Sequence, residues 1–203
     1  MQLTWKPSVS SSALHAAEIV ASGRSLLNKQ LHSALENIAP AVQEIASSSL
    51  IGSDRFWDWL IGLSCEHENN IQLAERVIAK AYSGNSRTGD AVSRLAKQIA
   101  AAEEALLDSI PRVKEEIPLR IRPLQELWDS YGAGLLIEIG RLADPSFLVK
   151  EALIIPVLPV VGGHGGVLLQ SNRIWIEAVL TNPNPTLPEV VRLAWLLSQL
   201  EAD

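Results

Sequence analysis

The apolar residues of the sequence follow two different patterns, one on each side of Pro111 and Pro118. Before these prolines, apolar residues recur at steps of three and four, which is the period of a helix that buries one face. After them, Val, Ile and Leu dominate residues 147–161, as is typical of a strand. We therefore predict a predominantly α-helical α+β protein, with a helical bundle in residues 1–116 and a small sheet packed on helices in residues 117–203.

The helical half contains four periodic segments. In the best defined of them, apolar residues lie three or four positions apart on one helical face. These residues are Val92, Leu95, Ile99, Ala102 and Leu106. A second segment, residues 27–45, contains Pro40, which lacks the N–H of an internal helical position, so we expect two helices that meet near Asn37. Residues 56–63 and 73–81 predict two further helices.

Two helices are predicted in the C-terminal part of the chain. Residues 123–131 predict a short helix that ends at Gly132 and Gly134, because glycine commonly ends a helix in the left-handed conformation. The final helix is predicted to run from about Thr186 to Glu201. Its first turn contains a proline and a glutamate, both of which are favourable there.

A strand and a hairpin are predicted between these helices. The apolar residues 147–161 contain Pro156 and Pro159. Since proline cannot donate to a neighbouring strand, we expect this strand at an edge of the sheet. The glycines in residues 162–166 predict a turn that joins it in a hairpin to a second strand, residues 174–180.

The composition predicts a globular chain that binds neither nucleic acid nor membranes. Of the 203 residues, 47% are hydrophobic and 20% are charged, which is close to the average of folded domains. A net charge of −6 leaves no positive excess to neutralise phosphates. The longest apolar run, residues 153–161, is far below the roughly 20 residues that span a bilayer.

The cysteine content indicates a reducing compartment. Cys65 is the single cysteine of the sequence, so the chain cannot form an internal disulfide. Residues 1–12 are polar where a signal peptide would need an apolar core of about seven residues. We therefore expect a cytoplasmic protein.

Cys65, Glu66, His67 and Glu68 are four consecutive residues of types that bind zinc or iron. Neighbours one or two positions apart on a helix point in different directions, and structural zinc sites use two separated ligand pairs. We therefore predict no metal and no cofactor here, and interpret this segment as a polar helix end. The alternative is a metal site in which the fold brings Cys65 and His67 together with His164.

The glycine cluster at Gly163, His164 and Gly165 is a candidate ligand-binding site. Successive glycines can present several backbone N–H groups to an anion, and histidine titrates near neutral pH. The cluster lacks the lysine and the serine or threonine of a phosphate-binding P-loop, and it does not open a helix. The interpretation that we favour is a turn in which glycine supplies positive φ angles.

Glu177 and Arg192 are candidates for a structural ion pair. Glu177 lies in the middle of the second predicted strand, and Arg192 lies on the final helix. If that helix packs on the sheet, the two side chains can meet in a buried pair, and loss of one partner would cost about 3–5 kcal/mol. The alternative is a surface pair of Glu189 and Arg192 on one helical turn.

The predicted order of elements in residues 123–201, a helix, a strand, a glycine turn, a strand and a long helix, resembles the core of zincin metallopeptidases. The final helix of that family carries H-E-x-x-H, in which two histidines hold the metal and the glutamate activates its water. The corresponding residues 187–195 of this sequence contain no histidine. No catalytic residue can therefore be carried over, and the resemblance implies an inactive relative.

Two segments, residues 131–136 and 187–195, also resemble an uncharacterised bacterial protein family. That resemblance implies a bacterial protein and no particular substrate.

These observations favour a non-catalytic protein. The sequence contains no Gly-x-Ser-x-Gly motif and no recognisable catalytic triad. Six tryptophans, Trp195 among them, supply large aromatic side chains of the kind that protein interfaces use. We expect protein-protein or small-ligand binding, with a protein partner or a homo-oligomer. The alternative is a metal-dependent hydrolase with dispersed ligands, in which Glu177 joins Cys65, His67 and His164.

Overall fold

The computed structural model describes residues 1–67, 69–82, 88–142 and 148–200. The contacts between residues divide the chain into two compact units. One is Ser8–Lys114, and the other combines Met1–Pro7 with Glu115–Asp203. The described residues form eight α-helices and one four-stranded sheet, so the predicted predominantly helical α+β class is confirmed.

The first unit, here called the helical unit, contains six α-helices among its described residues. They are α1 (Val9–Ala21), α2 (Lys29–Leu35), α3 (Ile38–Ser47), α4 (Ser53–Ser64), α5 (Asn70–Tyr82) and α6 (Thr88–Ser109).

Several predictions for the helical unit are confirmed. Helices α2 and α3 are separate, and Pro40 is the third residue of α3, where a backbone N–H has no partner inside the helix. Leu95, Ile99 and Leu106 of α6 are fully buried, as their spacing predicts.

The spacing of apolar residues does not predict helix α1, because the buried face of this helix consists largely of small residues. Ser11, Ser12 and Ala13 are completely buried. The Ser11 hydroxyl lies 3.0 Å from the carbonyl oxygen of Ile61 and 2.7 Å from the Ser64 hydroxyl, both on α4. Small side chains let the two helices approach closely, and these hydrogen bonds satisfy the buried hydroxyls.

The second unit, here called the sheet unit, contains four strands and two α-helices in the part that the structure describes. They are β1 (Gln2–Trp5), α7 (Val113–Leu142, from residue 115 on), β2 (Glu151–Val157), β3 (Gly165–Leu168), β4 (Arg173–Glu177) and α8 (Glu189–Leu197). The strand order is β1-β2-β4-β3. β1, β2 and β4 are parallel, and β3 forms an antiparallel hairpin with β4.

Strand β2 lies inside the sheet, so the predicted edge position is wrong. It pairs with β1 up to Ile154 and with β4 up to Val157. The Leu153 N–H donates to Asn172 next to β4, and alternate residues of a strand point their N–H groups to opposite sides. The nitrogen of Pro156 therefore points toward β1, so this proline ends the β1 ladder and leaves the β4 ladder intact.

The hairpin is formed by a different pair of strands from the predicted one, namely β3 and β4. The glycine segment does not join β2 to β4, because it leads into the short strand β3. A 3-10 turn (Leu169–Ser171) and Asn172, whose φ is 48°, then connect β3 to β4. Left-handed φ is several-fold enriched at asparagine, which explains the residue type at the end of this turn.

Helix α7 is a single helix of 30 residues, so residues 123–131 are helical as predicted, but the predicted ends of that helix are wrong. Pro118 and Pro123 lie inside it and are exposed, so water can solvate the carbonyl groups that lose their helical partners. The apolar period continues through both prolines. Its buried residues are Ile117, Ile121, Leu124 and Trp128.

One apolar core holds the sheet unit together. The side chains of Ile154, Ile174 and Ile176 on the strands pack with residues of both helices. The helical contributors include Ile121, Leu124 and Trp128 of α7 and Leu193 and Leu197 of α8.

Gly132 is a spacer for the indole of Trp128, one turn earlier on α7, and does not end the helix. A Cβ atom at residue 132 would lie 2.6 Å from two ring carbons of Trp128. Gly134 is exposed on the same helix, and a Cβ there would meet nothing within 4 Å.

We expect opposite effects from two substitutions in this helix. Gly132→Ala should lower the free energy of unfolding by about 1–3 kcal/mol, because the buried indole must shift. Gly134→Ala should raise it by about 0.5–1 kcal/mol, because alanine is the better helix former. Urea denaturation of both variants measures the difference. Equal effects of the two substitutions would contradict the spacer role of Gly132.

Candidate functional site

The carboxylate of Glu177, at the end of β4, accepts four backbone hydrogen bonds. Its Oε1 accepts from the N–H groups of Val160 at 2.8 Å and Val161 at 3.0 Å. Its Oε2 accepts from Gly163 at 2.6 Å and His164 at 3.1 Å. The side chain is completely buried. We call residues 160–164 the glycine loop. Four backbone N–H groups of this loop surround the carboxylate of Glu177.

Two glycines give the loop its shape. Gly162 and Gly163 have φ angles of +87° and +104°, which L side chains rarely adopt. A Cβ at Gly163 would also lie 2.6 Å from Cγ of Pro183. Successive backbone N–H groups can point inward in such a turn and form a concave anion site.

The four donors match the ionised form of Glu177. An ionised carboxylate only accepts hydrogen bonds, whereas the protonated acid carries a donor on one oxygen. Burial of a charge is costly unless hydrogen bonds compensate it, and bonds to an ionised acceptor are among the stronger ones in proteins. The loop therefore supplies the compensation that lets Glu177 be buried.

Arg192 of α8 ties the loop and β4 to the helix. Its Nη1 donates to the carbonyl oxygen of His164 at 2.8 Å, and its Nη2 donates to that of Glu177 at 3.3 Å. Nε donates to both carboxylate oxygens of Glu189, at 3.2 and 3.0 Å, and Nη2 also contacts Glu189. The Glu189 N–H in turn donates to Oδ1 of Asn182 at 3.1 Å. One guanidinium thus bonds to three parts of the sheet unit.

Two interactions of Arg192 bear on the predicted ion pair of Glu177 and Arg192. The carboxylate that pairs with Arg192 is that of Glu189, three residues earlier on α8. Arg192 contacts Glu177 at its backbone oxygen, because the loop N–H groups surround the Glu177 carboxylate. The pair of Glu189 and Arg192 is nevertheless no surface pair, since the two side chains are only 8% and 14% exposed.

Of the three predicted ligand-binding residues, Gly163 and His164 lie in the glycine loop and Gly165 lies in strand β3. The N–H groups of Gly163 and His164 converge on an anion, and that anion is Glu177. Gly165 is the first residue of β3 and pairs with Ile176. The His164 ring lies beside that of Trp175, with centroids 5.2 Å apart.

The sequence contains a signal for this arrangement that the separate interpretation of each motif missed. A glutamate between Ile176 and Ala178, in a strand of otherwise apolar residues, requires a buried partner. The glycine cluster, whose Gly163 lies 14 residues earlier, offers N–H groups that require an acceptor. The two features satisfy each other.

The candidate metal ligands belong to different units. Cys65 and His67 lie in the helical unit, and His164 and Glu177 lie in the sheet unit. The Cys65 thiol donates to the Gly62 carbonyl at 3.6 Å. Within either unit taken by itself, the described residues hold no three His, Cys, Asp or Glu side chains with ligand atoms within 4.8 Å of one another.

His67 borders a shallow surface pocket of about 380 Å³ in the helical unit. Gln72, Glu75, Arg76 and Ala79 of α5 form the rest of its lining, and these four residues are exposed.

No protein family, no curated protein and no solved structure gives a significant match to the chain. The resemblances to zincins and to an uncharacterised bacterial family therefore stay predictions. Among the described residues, none of the helices combines the length and the apolar character that crossing a bilayer requires.

The Glu177→Gln substitution tests the hydrogen bonds of the loop. It replaces one oxygen with an NH₂ group, which would face two N–H groups and leave them without an acceptor. Each buried donor that lacks an acceptor costs about 1–3 kcal/mol, so the free energy of unfolding should fall by about 2–6 kcal/mol in urea denaturation.

Glu138→Gln is the control for this substitution. Glu138 forms an exposed pair with Arg141, and its change should alter the free energy of unfolding by less than about 0.5 kcal/mol. A Glu177→Gln variant as stable as this control would show that the four hydrogen bonds do not hold the loop.

Proposed function

We propose that this chain is a non-catalytic cytoplasmic protein of bacterial origin that acts by binding a protein or a small ligand. The observation that carries the proposal is the engagement of Glu177 by four backbone N–H groups. A general base or a metal ligand needs a lone pair aimed at its substrate or metal. The four N–H groups take up the lone pairs that Glu177 would need for either role. Cys65 is the single cysteine of the sequence, which accords with a reducing compartment.

Helix α8 supports the proposal that the sheet unit is an inactive zincin relative. In H-E-x-x-H, the two histidines bind the metal and the glutamate activates its water. Here Pro188, Glu189 and Arg192 have the same spacing as the first histidine, the glutamate and the second histidine. Neither proline nor a guanidinium offers a lone pair to a metal, and Arg192 holds the glutamate in an ion pair.

Exposed apolar side chains support a binding role. Trp195 of α8 is 59% exposed, and Tyr131 of α7 is 60% exposed. Trp57, Trp128 and Trp175 are buried, so core packing accounts for them. Tryptophan and tyrosine bury large areas at low entropy cost and are enriched in protein interfaces. We propose that contacts with a second copy or another protein use the exposed face of α8 that contains Trp195.

Metal content distinguishes the proposal from a metal-dependent hydrolase. The tag-free protein, purified without added metal, should contain far less than one metal ion per chain by elemental mass spectrometry. About one zinc, iron or manganese per chain, lost in His164→Ala or His67→Ala, would contradict the proposal and favour the hydrolase. A decrease in only one of the two variants would identify the unit that holds the metal.

Sedimentation velocity tests the binding role of Trp195. We expect the sedimentation coefficient of the wild type to rise with concentration and that of Trp195→Ala to stay constant, because an exposed aromatic side chain contributes more to an interface than to the fold. The melting temperature of this variant should stay close to that of the wild type.

Leu50→Ala is the matched control, since Leu50 is 72% exposed in the helical unit. It should associate as the wild type does. The proposed binding role would be contradicted if the wild type is monomeric at every concentration and also captures no other protein from a cell lysate.

A further inference from the structure

The donors of the glycine loop are arranged for one chemical class of ligand. Two N–H groups, those of Val160 and Val161, serve one acceptor oxygen, and those of Gly163 and His164 serve a second oxygen of the same group. A planar carboxylate has two oxygens, each of which accepts two hydrogen bonds. Phosphate and sulfate carry further oxygens beyond the two that these four donors serve.

Contacts that do not involve the Glu177 side chain also hold the loop in shape. The Arg192 guanidinium binds the carbonyl oxygen of His164. That oxygen also accepts from the Glu177 backbone N–H at 2.9 Å. Pro183 packs against Gly163, and Gly165 continues directly into the β3 ladder. The donor geometry is therefore largely preorganised, and preorganisation is what makes a binding site.

We infer that the glycine loop is a carboxylate-binding site whose occupant in this chain is its own Glu177 side chain. The site accepts a free carboxylate of the same size once that side chain is shortened. Glu177→Ala removes a CH₂ group and a carboxylate, which are the heavy atoms of acetate. This inference is independent of the proposed binding role and of any relation to zincins.

The experiment measures the melting temperature of Glu177→Ala in sodium acetate and in sodium chloride of equal ionic strength. Acetate at about ten times its dissociation constant should raise the melting temperature by about 3–5 °C, and chloride should not. The wild type, whose site is filled, should show no difference between the two salts. Acetamide, which has the shape of acetate without its charge, should not stabilise Glu177→Ala.

Amide chemical shifts locate the effect. In Glu177→Ala, acetate should cause saturable shifts at the N–H groups of Val160, Val161, Gly163 and His164. Shifts elsewhere only, an equal effect of acetamide, or an equal effect on the wild type would overturn the inference.

If Glu177→Ala does not fold in chloride, refolding from urea provides the readout. Refolding in acetate but not in chloride would support the site. A variant that stays unfolded in both salts would overturn it, because the preorganised loop should recover with its acceptor restored.

Discussion

The buried carboxylate of Glu177 is the interaction on which the sheet unit depends. It accepts hydrogen bonds from four N–H groups of the glycine loop, and these N–H groups compensate its charge in return. Either half without the other would leave buried polar groups uncompensated, which costs free energy. The loop follows β2, and the glutamate ends β4, so the interaction fastens the carboxyl ends of two neighbouring parallel strands to each other.

Arg192 has the complementary role, because it donates hydrogen bonds to backbone carbonyl groups. Glu177 accepts from the N–H groups of the loop, and Arg192 donates to the carbonyl oxygens of His164 and Glu177. The planar guanidinium can serve these acceptors and Glu189 at once because its donors point in fixed, divergent directions. Charged side chains that resemble catalytic groups in the sequence thus satisfy peptide groups in the structure.

Where helices bury large apolar side chains, the sequence alone predicts them, as the steps of three and four in α6 show. It fails for α1, because serine and alanine carry little hydropathy signal although they are buried. The sequence also fails to predict the length of α7, because its prolines and glycines predict helix ends that the core packing of Ile117 to Trp128 overrides.

The candidate site was predicted only in its parts. The residue types identified Glu177, Arg192 and the glycine cluster, but the order of strands decides which of them meet. Sequence spacing places the glycine cluster in a hairpin turn, whereas the parallel pairing of β2 with β4 brings the loop over the end of β4. Pairing between distant strands is set by the whole fold, and local patterns do not contain it.

The parallel pairing of β1 with β2 has a consequence for the order in which the chain can fold. Gln2 pairs with Glu151, so β1 is synthesised before the helical unit and finds its partner strand only after that unit has been made. The helical unit is rich in local contacts and can fold while synthesis continues, since such topologies fold fast. Closure of the sheet must follow, and Leu3 and Trp5 remain without their neighbours in the sheet during that interval. The partial burial of Leu3 and Trp5 therefore depends on strand β2, which follows the helical unit in the sequence.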